Sequence, residues 1–197
     1  MRQLAGREIE RSPARQPFRI RTGTVRDAPA IFALVRWLAR YEGLKREVKA
    51  TLPDLRRHGF RRRPYFHTLI CWRGREPVGF ALYFFAYSTF LARPTLYIED
   101  LFVLSRCRRQ GAGKALLTAL ARVAARKKCG RMEWVVLRGN TPAIRFYERL
   151  GATLRTEWIL TRLTGAPLRR LAGSSRPGRA AVGDGNASRR SSPTAAR

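Results

Sequence analysis

The sequence predicts a mixed α/β domain over residues 18–164, and three observations predict it. Apolar spacing switches between a helical and a strand period several times along that stretch. Glycine, proline and charged clusters punctuate the switches at short intervals. Apolar residues make up 45% of the 197-residue chain, enough for one domain with a substantial core.

The elements follow in the order βαα-βββ-αβαβ, with no internal repeat. FRIR (18–21) is short and alternating, a first strand. Thr24 with Asp27 three residues later is a capping-type start, and Pro29 suits a first turn. Ile31, Leu34, Val35 and Leu38 then fall on one helical face, which predicts a helix to about Tyr41. A weaker helix is expected within VKATLPDLRRHG, ending near Gly59. YFHTLICW (65–72), PVGFALYFFAY (77–87) and TLYIEDLFVL (95–104) are rich in β-branched and aromatic residues. The first two flank RGRE and its Gly74, a hairpin. After RRQGAG (108–113), residues Leu116, Leu117, Leu120, Val123 and Ala124 line one side of a helix that ends near Gly130. Its last turn is basic, which complements the helix dipole. MEWVVL (132–137) predicts a strand, TPAIRFYERLG (141–151) a short helix, and ATLRTEWILTRL (152–163) a last strand or strands. Residues 1–17 are expected to be a loose basic leader. Residues 165–197, dominated by Gly, Ser, Pro, Ala and Arg, are expected to be a disordered tail.

The chain carries 41 Lys and Arg against 13 Asp and Glu, a formal charge of +28. The leader contributes +2 and residues 165–197 contribute +6, which leaves +20 on the segment between. A basic folded part suits a polyanionic partner: a nucleotide cofactor, a nucleic acid or an acidic membrane. Cys71, Cys107 and Cys129 form no C-x-x-C pair, and His58 and His67 stand apart, so neither a disulfide framework nor a metal site is expected. The longest strongly apolar run, residues 78–87, is too short to cross a bilayer. A cytoplasmic protein without a membrane role is the expectation.

RRQGAG sits between a strand and a helix. That placement presents backbone N–H groups at a helix N-terminus, where an anion is stabilised. The loop is neither G-x-x-x-x-G-K-[ST] nor G-x-G-x-x-G, and taken on its own a basic turn accounts for it better. Other residues stand out in the same way. Glu99 and Asp100 are two carboxylates in an apolar strand, where alternation lets only one face a given cavity. Tyr147 beside Phe146 has the character of an aromatic anchor. Asn140 before Pro142 reads as a helix cap.

Taken together, YIEDLFV (97–103), R-x-x-G-x-G (108–113) and N-x-P-x-x-x-FY-x-x-x-GA (140–152) resemble the GNAT family of acetyl-CoA-dependent N-acetyltransferases. LARYEGL (38–44), the GF near residue 59, PYFHTLI (64–70) and VGFALYFFAYSTF (78–90) extend the resemblance to the spermidine/spermine branch, which includes thialysine acetyltransferases. It covers roughly Phe18 to Leu163. It implies a mostly antiparallel central sheet, splayed at the cofactor strand, with helices on both faces, in a homodimer that uses acetyl-CoA and no metal.

The resemblance also implies a site. The coenzyme would be held by Leu101, Phe102 and Val103 of the strand, by Arg108, Arg109, Gln110, Gly111, Ala112, Gly113 and Lys114 of the loop, and by Asn140, Pro142, Ala143 and Tyr147. Tyr147 takes the part of general acid; a phenol of ordinary pKa near ~10 is matched to a departing thiolate. Glu99 takes the part of the group that orients the amine and removes its proton. Tyr41, Glu42, Glu99, Asp100, Glu157 and Trp158 fall where substrate contacts lie. The chain departs from the polyamine pattern at Tyr87-Ser88-Thr89-Phe90, where an Asp and a Trp are the rule, so one anionic contact is missing. The expected activity is acetyl transfer to a primary amine of a diamine, a polyamine or an amino-acid-like molecule. The alternatives are acetylation of a protein or peptide, and a basic nucleic-acid-binding protein on the same scaffold. Nucleic acid is otherwise expected to bind only non-specifically, through the tail.

Overall fold

The computed structural model describes residues 16–173. Contacts divide the chain after Ala143, and the two units are described in turn. Most of the expected loose leader, residues 1–15, lies outside the described residues, as do residues 174–197 of the expected tail.

The first unit is built on a five-stranded sheet in sequential order: β1 (Phe18–Thr22), β2 (His67–Arg73), β3 (Glu76–Ser88), β4 (Arg93–Val103) and β5 (Arg131–Trp134). The first four pair antiparallel, and β5 joins β4 in parallel. Helices α1 (Ala28–Tyr41) and α2 (Leu52–Gly59) lie between β1 and β2, and α3 (Ala112–Arg126) provides the crossover from β4 to β5. A parallel pair requires such a crossover.

Burial is continuous from Val78 to Tyr83 of β3. A strand buried at successive residues has both of its faces covered. α1 packs on β3 and β4, and α3 packs on all five strands. The apolar positions that predicted the two helices supply the contact: Ile31 and Leu34 from α1, and Leu116, Leu117 and Leu120 from α3, are buried.

The start of α1 is fixed by an ion pair. Asp27 accepts from Thr24 N–H and hydroxyl and takes two 2.7 Å bonds from Arg21 of β1. The guanidinium and these hydrogen bonds hold the Asp27 carboxyl far below the usual carboxylate range. The expected Thr24–Asp27 cap is therefore present and also ties the first strand to the first helix.

In the second unit, which begins at Ile144, α4 (Thr141–Glu148) continues across the division and closes at Gly151, whose φ is +88°. The last strand expected over residues 152–163 is not formed. That segment is irregular, with a turn at residues 156–157 and no sheet partner, and it is exposed at Trp158, Ile159 and Leu160. Alternating apolar residues favour a strand only where an edge is there to pair with, and the pattern alone carries no information about the edge. Residues 165–173, expected to be disordered, form an exposed helix, α5 (Gly165–Gly173). LRRLAG has good helix formers, which the compositional reading of the whole tail averaged away.

Candidate active site

Three features of the first unit converge around the C-terminal half of β4. The first is a splay. β5 accompanies β4 only from Thr95 to Ile98, so residues 99–103 of β4 have no β5 neighbour. On the other side, β3 stays close because Gly79 faces Val103; a Cβ there would lie 2.7 Å from the Phe102 carbonyl oxygen.

The second feature is a bulge. Leu82 of β3 pairs with Asp100, yet the next residue, Tyr83, pairs with Ile98. Glu99 is the extra residue. A bulge relaxes strict alternation at this point, and Glu99 is exposed while Asp100 is withdrawn from solvent. Asp100 is largely buried, with Glu99 and Glu42 as its charged neighbours. Burial first, then those two carboxylates, push its pKa up to about 7. Burial also raises Glu42, which follows the last residue of α1. Three carboxylates thus gather where α1 ends over β4. Such a cluster resists its own ionisation and is relieved by a bound cation.

The third feature is the glycine loop. A short 3-10 turn, Ser105–Cys107, leads out of β4, with Cys107 buried beneath it. Gln110 is anchored by Arg73, whose guanidinium donates to Oε1, and its own Nε2 donates to the Arg106 carbonyl. Arg106 pairs with Glu76. Arg109 and Gly111 both adopt positive φ, +57° and +93°. Gly111 is the N-cap of α3, has no side chain to cap with, and looks onto open space. The first-turn N–H groups of α3, at Ala112, Gly113 and Lys114, therefore need an external acceptor. Arg109 and Lys114 are exposed beside them. A diphosphate fits this loop: donors, dipole and cations agree.

Arg108 is placed differently from expectation. Its side chain turns back along the chain, where Nε donates 3.0 Å to the Val103 carbonyl. The guanidinium carbon lies 4.0 Å from the Tyr41 ring centroid and 5.6 Å from that of Phe102. The Tyr41 hydroxyl lies 3.4 Å from Asn140 Oδ1, which also caps the N–H of Ala143 at 3.4 Å. The helix-cap expectation for Asn140 is met, and the same oxygen also faces the Tyr41 hydroxyl. Between α1 and the end of β4 lies a cavity of about 420 Å³, lined by Trp37, Arg40, Tyr41, Phe102, Leu104 and Arg106 among others. Trp37 and Arg40 escaped the sequence reading; their one signal was their spacing, four residues and one before Tyr41 on an exposed stripe.

A profile of the acetyltransferase (GNAT) family matches residues 31–152, which span all of these features. The chain belongs to the GNAT acetyltransferase family. Thialysine N-epsilon-acetyltransferase of Mus musculus is 36% identical over 166 residues, covering 79% of this chain and 97% of that protein. L-ornithine N5-acetyltransferase of Arabidopsis thaliana is 50% identical over 90 residues, which are 46% of this chain and 40% of that protein. Among solved structures, an integron cassette protein from the mobile metagenome of V. cholerae superposes with a TM-score of 0.67 at 26% identity, over 79% of this chain and 97% of that one.

The remaining residues expected in the GNAT site belong to the second unit. Tyr147 is buried on α4, its ring 5.4 Å from that of Phe146. Its carbonyl accepts the N–H groups of Leu150 and Ala152, which fixes the backbone at the helix end. Glu157 is exposed and paired with Arg155; a hydrogen bond from its own backbone first, and then Arg155, lower its pKa. Trp158 is 73% exposed. Neither of these two sits in a strand, contrary to expectation.

Proposed function

We propose that this N-acetyltransferase moves the acetyl group of acetyl-CoA to a primary amine of a small, positively charged molecule, either a diamine or the side-chain amine of a basic amino acid. The carrying observation is the carboxylate cluster of Glu42, Glu99 and Asp100 on the bulged, splayed half of β4. In a segment with a net charge of +20, such a cluster runs against the surrounding field and selects a cation.

Acetyl-CoA supplies an activated thioester. The first-turn N–H groups of α3, with Arg109 and Lys114, would hold its diphosphate. The edge of β4 at Leu101, Phe102 and Val103 would offer main-chain groups to its pantetheine arm. Asn140, Pro142 and Ala143 open α4, and their side of the cleft would carry the same arm. Asp100 and Glu42 draw the ammonium in. Glu99, the exposed carboxylate of the cluster, takes a proton from its nitrogen, because only the neutral amine is a nucleophile. The Tyr147 hydroxyl gives a proton to the departing thiolate; phenol and thiol pKa values lie within about two units of each other. Similarity to the thialysine and ornithine enzymes supports an amino-acid-like acceptor.

We further propose a cytoplasmic homodimer. The consecutive exposed residues Trp158, Ile159 and Leu160 of the second unit support an apolar contact with a second copy.

The test is thiol release from acetyl-CoA across polyamines, diamines, thialysine, ornithine, lysine, aminoglycosides and basic peptides. Turnover should concentrate on small dications and basic amino acids. Release confined to peptides, or none at all from a chain that binds coenzyme A, would overturn the assignment. Light scattering in solution reports the dimer.

A further inference from the structure

Arg108 opens the R-x-x-G-x-G loop, yet its guanidinium is wedged against the ring of Tyr41, with Phe102 farther off. It lies 4.0 Å over Tyr41, at the end of α1, and 5.6 Å from Phe102 on β4, while Nε binds the Val103 carbonyl at 3.0 Å. The two rings stand 6.4 Å apart and tilted by 51°, and the guanidinium stacks chiefly on Tyr41, with Phe102 the more distant neighbour. Arg108 therefore meets groups from both halves of the reaction. Val103 belongs to the edge that would receive the pantetheine arm. Tyr41 precedes Glu42 of the carboxylate cluster and reaches Asn140 at the start of α4.

A guanidinium cannot serve this wedge and a diphosphate at the loop at once. Loop and wedge are joined by a single flexible side chain whose backbone borders the N-terminus of α3. Arg106 is paired with Glu76 and Gln110 with Arg73, whereas Arg109 and Lys114 are exposed at the loop and have no second place to go.

We propose that Arg108 couples the two substrate sites: it holds the face of Tyr41 as a built-in cation, and the coenzyme diphosphate draws it away so that the ammonium of the acceptor takes its place. The proposal rests on the coenzyme reading given above. It makes Tyr41 and Phe102 an aromatic subsite for the acceptor cation and makes Arg108 a positioning residue. It also sets an order of binding, coenzyme before amine. A ligand shifts an equilibrium only by its differential affinity, and here the difference is the charge-paired bond between guanidinium and diphosphate. Release of Arg108 also frees the Val103 carbonyl, so the coenzyme gains two contacts by one movement.

Titration calorimetry on the full chain, with coenzyme A and then 1,3-diaminopropane or L-ornithine as probes, tests the coupling. In the wild type the amine should bind about tenfold or more tightly once coenzyme A is present, within the usual range of linked sites. Arg108→Met keeps the length of the side chain and removes its charge. The variant should bind the amine without coenzyme, and the coupling factor should fall close to one. Tyr41→Leu should weaken the amine in both conditions. The Nε–H resonance of Arg108, shifted by its bond to Val103, should move on addition of coenzyme A alone, a readout independent of turnover. If Arg108→Met retains the wild-type coupling, or the Nε–H resonance stays in place when coenzyme binds, the proposal is wrong while the coenzyme reading stands. If the wild type binds no coenzyme A, both fall together.

Discussion

Asp100→Asn is the perturbation that separates a functional carboxylate from a structural one, because the two assign opposite signs to stability. The Asp100 carboxyl has an ordinary pKa of 3.8 and is raised to about 7 in the folded chain, chiefly by burial and then by Glu99 and Glu42. Between these values the folded state binds a proton that the unfolded state has released. Stability then falls as pH rises, from about 4 to above 7, and the full penalty is present in alkaline solution. About three units at 1.36 kcal/mol each set an upper bound of about 4 kcal/mol. The solvent contact that this largely buried side chain retains brings the expectation to about 2–4 kcal/mol.

Asn keeps the shape and never ionises. The variant should be more stable than the wild type by about 2–4 kcal/mol at pH 8.5, and should match it within about 1 kcal/mol at pH 4.5. Urea unfolding followed by the fluorescence of the four tryptophans measures both. Activity should move the other way: kcat/KM for a diamine at pH 8 should drop about tenfold or more, since a charge-assisted contact to the cation is lost. An Asn variant that is no more stable than the wild type at pH 8.5, or that keeps its kcat/KM, refutes the reasoning. The combination of stability gained and activity lost marks a carboxylate kept at a cost for its ligand.

Three further outcomes are expected. Tyr147→Phe removes only a hydroxyl, so coenzyme binding should persist while kcat falls by about 10²-fold, read from single-turnover kinetics. Gly111→Ala puts a Cβ on a backbone at φ +93°, which should cost about 1–2 kcal/mol and weaken coenzyme A in calorimetry, because the first turn of α3 must shift to relieve it. Asp27→Asn breaks the bond to Arg21 and should cost about 3 kcal/mol at neutral pH. The folded pKa of Asp27 is depressed, so the wild type should keep this stabilisation above pH ~4 and lose it only as pH falls below that, whereas the variant shows no such loss.

What was legible in the sequence was whatever a local period or turn encodes. α1 ends at Tyr41 as its apolar spacing required, and β2 and β3 meet at Gly74, whose positive φ only a turn needs. The loop at 108–113 and the carboxylates at 99 and 100 were visible as residues, but their arrangement was not. A bulge is a relation between two strands: nothing in YIEDLFV says that Leu82 and Tyr83 of another strand will pair on either side of Glu99. The same holds for Arg108, whose residue type suits a phosphate as well as it suits an aromatic wedge. Only the approach of α1 to β4 decides between them. Where the sequence pattern failed outright, at residues 152–163, a strand was expected from side-chain alternation, and strand formation also needs a partner edge. The helix at 165–173 is a miss of another kind, a local propensity diluted in the composition of the tail, but the misses within the site share one cause. Properties of a single segment could be read in advance; properties created by two segments meeting, including the raised pKa of Asp100, could not. In this site the second kind includes the gathering of Glu42, Glu99 and Asp100, on which the proposed recognition of a cation rests.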